Sequence, residues 1–161
     1  MFTTRSATQA DIPQILNFVL ALARYENAEH HVMATEADLQ AALFGDNAIA
    51  GALLCELEGR PVGFGLYVYN FSTWTGKRGI YLEDLYVNEE QRGKGAGRAI
   101  LQTLAQIAIE KDCARFEWSV LDWNVPSIKF YEALGARPLP EWVGYRVTGD
   151  ALRALAENGA K

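Results

Sequence analysis

Gly79-Ile80-Tyr81-Leu82-Glu83-Asp84-Leu85-Tyr86-Val87-Asn88-Glu89-Glu90-Gln91-Arg92-Gly93-Lys94-Gly95-Ala96-Gly97-Arg98 reads as a strand, a glycine-rich turn and the start of a helix. Ile, Leu, Tyr and Val dominate residues 80–87, as suits a pleated, largely buried surface. Gly93, Gly95 and Gly97 follow, and without Cβ atoms they let the backbone take positive φ and approach a ligand closely. Ile100, Leu101, Leu104, Ile107 and Ala108 then recur at helical spacing. A helix N-terminus carries unpaired N–H groups and a partial positive charge, and Arg92, Lys94 and Arg98 add three cations around it. The stretch predicts an anion site, most simply one for phosphate. Neither common phosphate loop fits. Lys94 is followed by Gly95, with no Ser or Thr to hold Mg²⁺ as GxxxxGK[ST] requires, and Arg98 stands where the third glycine of GxGxxG would be.

Working outward, residues 3–7 read as a strand. Thr8 and Asp11 have the spacing of a capping box. Pro13 falls in the first turn of a helix whose apolar face is Ile12, Ile15, Leu16, Val19, Leu22 and Ala23, ending near Tyr25-Glu26. Thr35 and Asp38 open a shorter helix through Leu39, Leu43 and Phe44, closed by Gly45. Residues 50–57 and 62–70 are strand-like, and Glu58-Gly59-Arg60-Pro61 between them predicts an antiparallel hairpin. Past the central strand and its helix come a strand over 114–120 and a helix over 125–134, capped by Asn124 and stopped by Gly135. A strand over 143–147 and a helix over 150–157 complete the chain. The order β-α-α-β-β-β-α-β-α-β-α predicts an α/β protein of mixed α+β sheet, an antiparallel meander followed by a β-α-β crossover, with helices on the sheet faces. The crossover makes strands 80–87 and 114–120 parallel. Their carboxyl ends, where open sheets bind ligands, lead into the glycine loop and into Asp122-Trp123-Asn124.

With 161 residues, half of them hydrophobic, and no linker, repeat or low-complexity segment, the chain predicts a single domain. The first residues lack a charged-then-apolar leader pattern, and no apolar run nears the ~20 residues of a membrane span. Cys55 and Cys113 lie in apolar strand-like contexts, as buried free thiols of a reducing, cytoplasmic compartment would. His30-His31 has no Cys or His partner at metal-ligand spacing. The net charge of −5 argues against a nucleic-acid partner and suits attraction of a cationic small molecule.

Two segments resemble one family. Arg92-x-x-Gly95-x-Gly97 resembles the Q/R-x-x-G-x-G/A pyrophosphate loop of the GNAT superfamily of acetyl-CoA-dependent N-acetyltransferases. Asn124-x-x-Ser127-x-x-Phe130-Tyr131-x-x-x-Gly135-Ala136 is a capped amphipathic helix with a glycine stop. It also resembles that superfamily's second cofactor signature, in which the Asn contacts the pantetheine arm and the Tyr lies near the thioester sulfur. Within the superfamily the chain is most similar, over most of its length, to the diamine (spermidine/spermine) acetyltransferases. Tyr25-Glu26, Tyr81-Leu82-Glu83-Asp84 and Trp123-Asn124-x-Pro126-Ser127-Ile128 add to the match. Relatives with these signatures also acetylate thialysine and other small amines.

The resemblance implies a GNAT fold with a splayed parallel strand pair, one N-acetyltransferase domain over residues 1–161, acetyl-CoA as co-substrate, no metal, and a homodimer. It implies cofactor contacts from Leu85, Tyr86, Val87, Arg92, Gly93, Lys94, Gly95, Ala96, Gly97, Arg98, Asn124, Pro126, Ser127 and Tyr131. Amine contacts would come from Tyr25, Glu26, Glu83, Asp84, Glu117, Trp118 and Ser119.

The chemistry agrees with these residue types. Acetyl transfer consumes a neutral amine, whereas an alkylammonium with pKa near 10.4 is neutral in only ~1 in 2,500 molecules at pH 7, a cost of about 4.6 kcal/mol. A carboxylate accepting that proton, directly or through water, removes the cost. Glu83 is the first candidate and Asp84 the second, and strand alternation puts the two on opposite faces unless a bulge intervenes. A carboxylate that grips the ammonium also raises its pKa, and relay through water to a partly desolvated Glu is one way out. The leaving thiolate needs a proton donor, for which Tyr131 is placed, and a backbone N–H of Leu85 or Val87 can stabilise the developing oxyanion. Neither signature contains Cys, which predicts direct transfer rather than an acyl-enzyme. The competing readings are acetylation of a protein N-terminus or lysine, and a non-catalytic acyl-CoA sensor. Acidic candidate pocket residues disfavour the first, and Glu83 together with Tyr131 disfavours the second.

Overall fold

The computed structural model describes residues 1–157, which form two compact units divided after Ser119. The first, Met1–Ser119, is built on a five-stranded sheet in the order β1 (Phe2–Ser6), β2 (Ala50–Leu57), β3 (Arg60–Ser72), β4 (Lys77–Val87), β5 (Arg115–Trp118). Neighbours are antiparallel except β4 and β5, which are parallel, as a helical crossover between them requires. Three helices, α1 (Ile12–Tyr25), α2 (Glu36–Phe44) and α3 (Ala96–Glu110), cover the sheet.

The two faces are read from the ladders. Ile12, Ile15 and Phe18 of α1 and Leu39 and Leu43 of α2 form one core cluster with Ala52, Leu54, Phe64 and Leu66. On the other face α3 lies so close to β3 that a Cβ on Gly65 would stand 2.8 Å from Ile100 Cγ2 and 3.5 Å from Leu82 Cδ1. The helix starts follow local chemistry. At Thr35 both the backbone N–H and the hydroxyl donate to Asp38, and the Thr35 hydroxyl accepts from the Asp38 N–H. The Thr8–Asp11 pair closes a 3-10 turn, Gln9–Asp11, set just ahead of α1. Arg5 grips Asp11 through both guanidinium ends and Glu56 through Nε, tying β1 to β2 and to the start of α1. That guanidinium, against the opposing effect of burial, holds the Asp11 carboxyl far below the usual carboxylate range.

The hairpin between β2 and β3 is tighter than expected. Arg60 and Pro61 belong to β3, and the turn is the two residues Glu58 and Gly59, both at positive φ (52° and 74°), whose twist matches that of the flanking strands.

In the second unit, α4 (Val125–Glu132) and α5 (Gly149–Glu157) are helical, and the α4 exit is closed by Gly135 at φ 90°, with Ala136 N–H donating to Tyr131 O at 3.2 Å. The strand expected over 143–147 does not form: these residues carry no ladder, and Val143 and Tyr145 are 72% and 95% exposed. Alternating apolar residues make a strand only when a partner supplies the ladder and a core covers one face, and here neither condition holds. No helix among the described residues is long and apolar enough to cross a membrane.

Gly65 sets how closely α3 approaches the sheet. Gly65→Val should cost about 1–3 kcal/mol of stability by overpacking against Ile100, read as a melting temperature lower by several degrees. An unchanged melting temperature would contradict this packing.

Candidate active site

The glycine loop starts where β4 ends. After Val87 come a 3-10 turn, Glu89–Gln91, the extended Arg92, and then Gly93 and Gly95 at φ 73° and 105°. Gly95 is the N-cap of α3, a helix of 15 residues. Nothing lies within 4 Å of the place a Cβ would occupy on Gly93 or Gly95, so the loop presents bare backbone beside the N–H groups of the first helical turn. Lys94 and Arg98 are exposed around it. The loop therefore fits a pyrophosphate-bearing ligand such as the CoA part of acetyl-CoA, with no side chain to block its approach.

Arg92 is engaged otherwise than the sequence suggests. Its Nε donates to Val87 O at 3.0 Å. Its guanidinium carbon lies 4.7 Å from the ring centroid of Tyr25, the last residue of α1, and 5.6 Å from that of Tyr86.

A bulge in β4 organises the carboxylates. In the β3–β4 ladder Leu66 pairs with Asp84 but Tyr67 pairs with Leu82, leaving Glu83 as the extra residue. Paired residues share a face, so Asp84 stands on the side of Leu66 and of α1. There its carboxyl is pushed up to about 6, by burial first and then by the negative charges of Glu83 and Glu26. Glu26, the C-cap residue of α1, is itself shifted upward by burial. The charges of Glu26 at the end of α1 and of Glu83 beside it on β4 thus both act on Asp84. Simple alternation would have separated Glu83 from Asp84.

The β4–β5 ladder stops at Leu82 opposite Trp118, so residues 83–87 run on past the end of their parallel neighbour. The expected strand 114–120 is accordingly shorter, Arg115–Trp118. Leu85 and Val87, whose backbone N–H groups were the oxyanion candidates, lie on this stretch. Glu117 sits opposite Tyr81 and accepts from Asn70 Nδ2 at 3.4 Å, while Ser119 Oγ lies 2.8 Å from Tyr81 Oη. Val68, which pairs with Tyr81, shares the face of Leu66, so Glu117 and Ser119 join Asp84 on one side of the sheet. Trp118, opposite Leu82, is on the side of α3.

The second unit holds the remaining expected site residues. Asn124 is buried and caps α4, its Oδ1 accepting from Ser127 N–H at 3.4 Å, with Pro126 in the first turn. Tyr131 lies in the last turn of α4, its ring 5.4 Å from that of Phe130. Among the described residues no group of three or more His, Cys, Asp or Glu is arranged to hold a metal. The rings of His30 and His31 lie 4.0 Å apart, tilted by 41°, and Cys55 and Cys113 are free thiols.

Sequence reasoning placed Tyr81 only as a motif position and missed Asn70. Both border the carboxylate face, and the signal that could have found them is their alternation with Val68 and Leu66, which needs the hairpin register to be known.

These features agree with the comparisons to known proteins. The profile of the acetyltransferase (GNAT) family matches residues 16–136. A thialysine N-epsilon-acetyltransferase of Sus scrofa is 42% identical over 163 aligned positions, covering 94% of this chain and 95% of the relative. A spermidine/spermine N(1)-acetyltransferase-like protein of Homo sapiens is 36% identical, covering 91% of this chain and 22% of that longer protein. Among solved structures, an integron cassette protein of V. cholerae superimposes with a TM-score of 0.80 at 27% identity, covering 97% of this chain and 98% of that one. A glycine loop at the head of α3, a parallel strand pair that parts beside it and a family match over three quarters of the chain lead to one conclusion: this protein belongs to the GNAT acetyltransferase family, as an acetyl-CoA-dependent N-acetyltransferase.

Proposed function

We propose that the amine acetylated is a small primary amine carrying a second positive charge, a diamine, a polyamine or a thialysine-like amine. The observation that carries this reading is that the charges of Glu26 and Glu83 act on Asp84, with Glu117 on the same face as Asp84, opposite Tyr81 in the ladder. Tyr81 and Asp84 pair with Val68 and Leu66, two residues apart on β3, so the acidic positions lie roughly 7 Å apart along the strand, a length that a short diamine with a hydrogen bond at each end can bridge. The names of the thialysine and spermidine/spermine relatives support the same class. We take residues 1–161 as one catalytic domain, supported by a family match that runs across both units. The resemblance also supports a homodimer, and the free thiols Cys55 and Cys113 suit a cytoplasmic location. The net charge of −5 supports a small cationic partner over nucleic acid or a membrane surface.

In this reading Arg92, Gly93, Lys94, Gly95, Ala96, Gly97 and Arg98 hold the pyrophosphate, and Leu85, Tyr86 and Val87 line the acyl arm. Asn124, Pro126, Ser127 and Tyr131 take the contacts that the second signature implies. Bound acetyl-CoA supplies an acyl carbon activated as a thioester. The amine proton passes to the Glu83–Asp84 pair. Resemblance favours Glu83, and burial favours Asp84, whose proton affinity suits an acceptor working near neutral pH. Tyr131 gives its hydroxyl proton to the departing thiolate, a role that rests on the resemblance of the 124–136 segment. No step calls for a metal.

A panel of amines with acetyl-CoA, read by thiol release, tests the substrate class. Putrescine, spermidine and thialysine should exceed butylamine in kcat/KM at low ionic strength, and added salt should erode the difference. Equal values for butylamine and putrescine would exclude the dicationic reading and leave the acetyltransferase intact.

Glu83→Gln and Asp84→Asn should each lower kcat by roughly 10²–10⁴, with partial recovery at alkaline pH as free amine becomes available. Tyr131→Phe should lower kcat with little change in cofactor affinity, and an acyl donor with a more acidic thiol should rescue it alone. Full activity in all three folded variants would return these residues to packing.

Asp84 also makes a stability prediction. A folded-state pKa above the unfolded one costs nothing where both states are protonated, below about pH 4. The cost grows as the unfolded chain ionises and is complete above about 6. Asp84→Asn should therefore stabilise the protein at pH 7.5 by on the order of 2–3 kcal/mol, with the gain shrinking toward pH 4 in thermal melts. A variant no more stable than the parent at pH 7.5 would show that this carboxyl is not desolvated.

A further inference from the structure

Arg92 opens the glycine loop, yet its guanidinium is seated on protein groups that belong to the other half of the site. Nε donates to Val87 O, at the end of β4. The planar cation lies over the ring of Tyr25 and, at longer range, over that of Tyr86. Tyr86 packs in turn on Phe18, one ring centroid 5.6 Å from the other, and Phe18 stacks on Phe64 in the core. The residue after Tyr25 is Glu26, whose charge acts on Asp84. A path of contacts thus runs from the loop through Arg92 to Tyr25 at the end of α1, next in sequence to a carboxylate whose charge acts on Asp84.

We propose that Arg92 is a positioning residue that couples the two substrates' sites, holding the glycine loop in its binding geometry through Tyr25. The inference rests on the reading of residues 92–98 as the acetyl-CoA loop and of the α1 end as the amine site. A ligand that orders Tyr25-Glu26 also orders Arg92, and by linkage a ligand on the loop orders the α1 end by the same free energy. A cation over an aromatic face needs the ring and not the phenol oxygen, so phenylalanine serves at position 25 and an aliphatic residue does not. If Arg92 were only a phosphate ligand, position 25 would be irrelevant to the cofactor.

Calorimetric titration of coenzyme A into the full chain, with no amine present, separates these cases. Tyr25→Leu should weaken coenzyme A binding about two- to five-fold, the size of an exposed cation–π contact. Tyr25→Phe should bind like the parent protein. In an Arg92→Gln background Tyr25→Leu should add nothing further, because the contact is already gone. Tyr25→Gln, suited to an exposed helix end, gives the same reading should Leu at this position lower the melting temperature. Coenzyme A affinity indifferent to position 25, or losses from Tyr25→Leu and Arg92→Gln that add in full, would overturn the coupling while leaving the loop assignment standing. A parent protein that does not bind coenzyme A would overturn both.

Discussion

The bulge at Glu83 is the constraint on which the site depends. Strands β3 and β4 are in register on either side of it, from Ser72↔Lys77 to Tyr67↔Leu82 and again from Leu66↔Asp84 to Gly63↔Val87. One extra residue between these runs does three things together. It places Asp84 on the side of α1, where even spacing would have put Glu83. It brings two carboxyl groups from consecutive positions into electrostatic contact. It also falls where the ladder with β5 gives out, after Leu82, so the strand that carries the carboxylates is the one whose far edge is left open beside the glycine loop.

Keeping three carboxyl groups together is unfavourable, and the surroundings decide how it is tolerated. The wall behind Asp84 is apolar: Leu66 beside it in the ladder, and Phe18, Phe64 and Tyr86 stacked nearby. Burial comes first among the causes of its raised pKa and the neighbouring charges second. A group shifted in this way subtracts from stability at neutral pH, which suits the proton-accepting role proposed for the Glu83–Asp84 pair. The contrast with Asp11 is instructive. That carboxyl sits at the start of α1, where Arg5 satisfies both of its oxygens, and its proton affinity moves the opposite way. One is held by a cation, and the charges that act on the other are the negative ones of Glu83 and Glu26.

How much of this could be read from the chain follows from what each signal encodes. Local chemistry was legible: the Thr35–Asp38 box, the Asn124 cap, the Gly135 stop and the Gly93–Gly95 loop all lie where short spacings put them. The parallel crossover was legible because it follows from a helix between two strands. The bulge was not, since residues 80–87 fit an even strand as well as a bulged one, and only the partner strand counts the residues. The strand at 143–147 failed for the related reason that alternation states a preference and a ladder has to satisfy it. The seat of Arg92 was hidden too. Its charge was visible, but the rings it rests on come from positions 25 and 86, and only the fold brings them together.

Charge raises a last question. A chain of net charge −5 has to attract a cation and hold a polyphosphate within one small site. In the proposed reading it does so by segregation. Lys94, Arg98 and the first turn of α3 gather on the loop, and Glu26, Glu83 and Asp84 gather at the end of α1. At physiological ionic strength charges separated by more than about 8 Å are largely screened, so a few residues of spacing suffice to keep the two fields distinct. Arg92 stands at the seam, where its positive charge is favourable to both sides. In the proposed reading an amine seated among the carboxylates neutralises the negative field nearest the loop, while its ordering of Tyr25-Glu26 steadies Arg92. The electrostatic and the steric consequences then have the same sign, and each substrate prepares the place of the other.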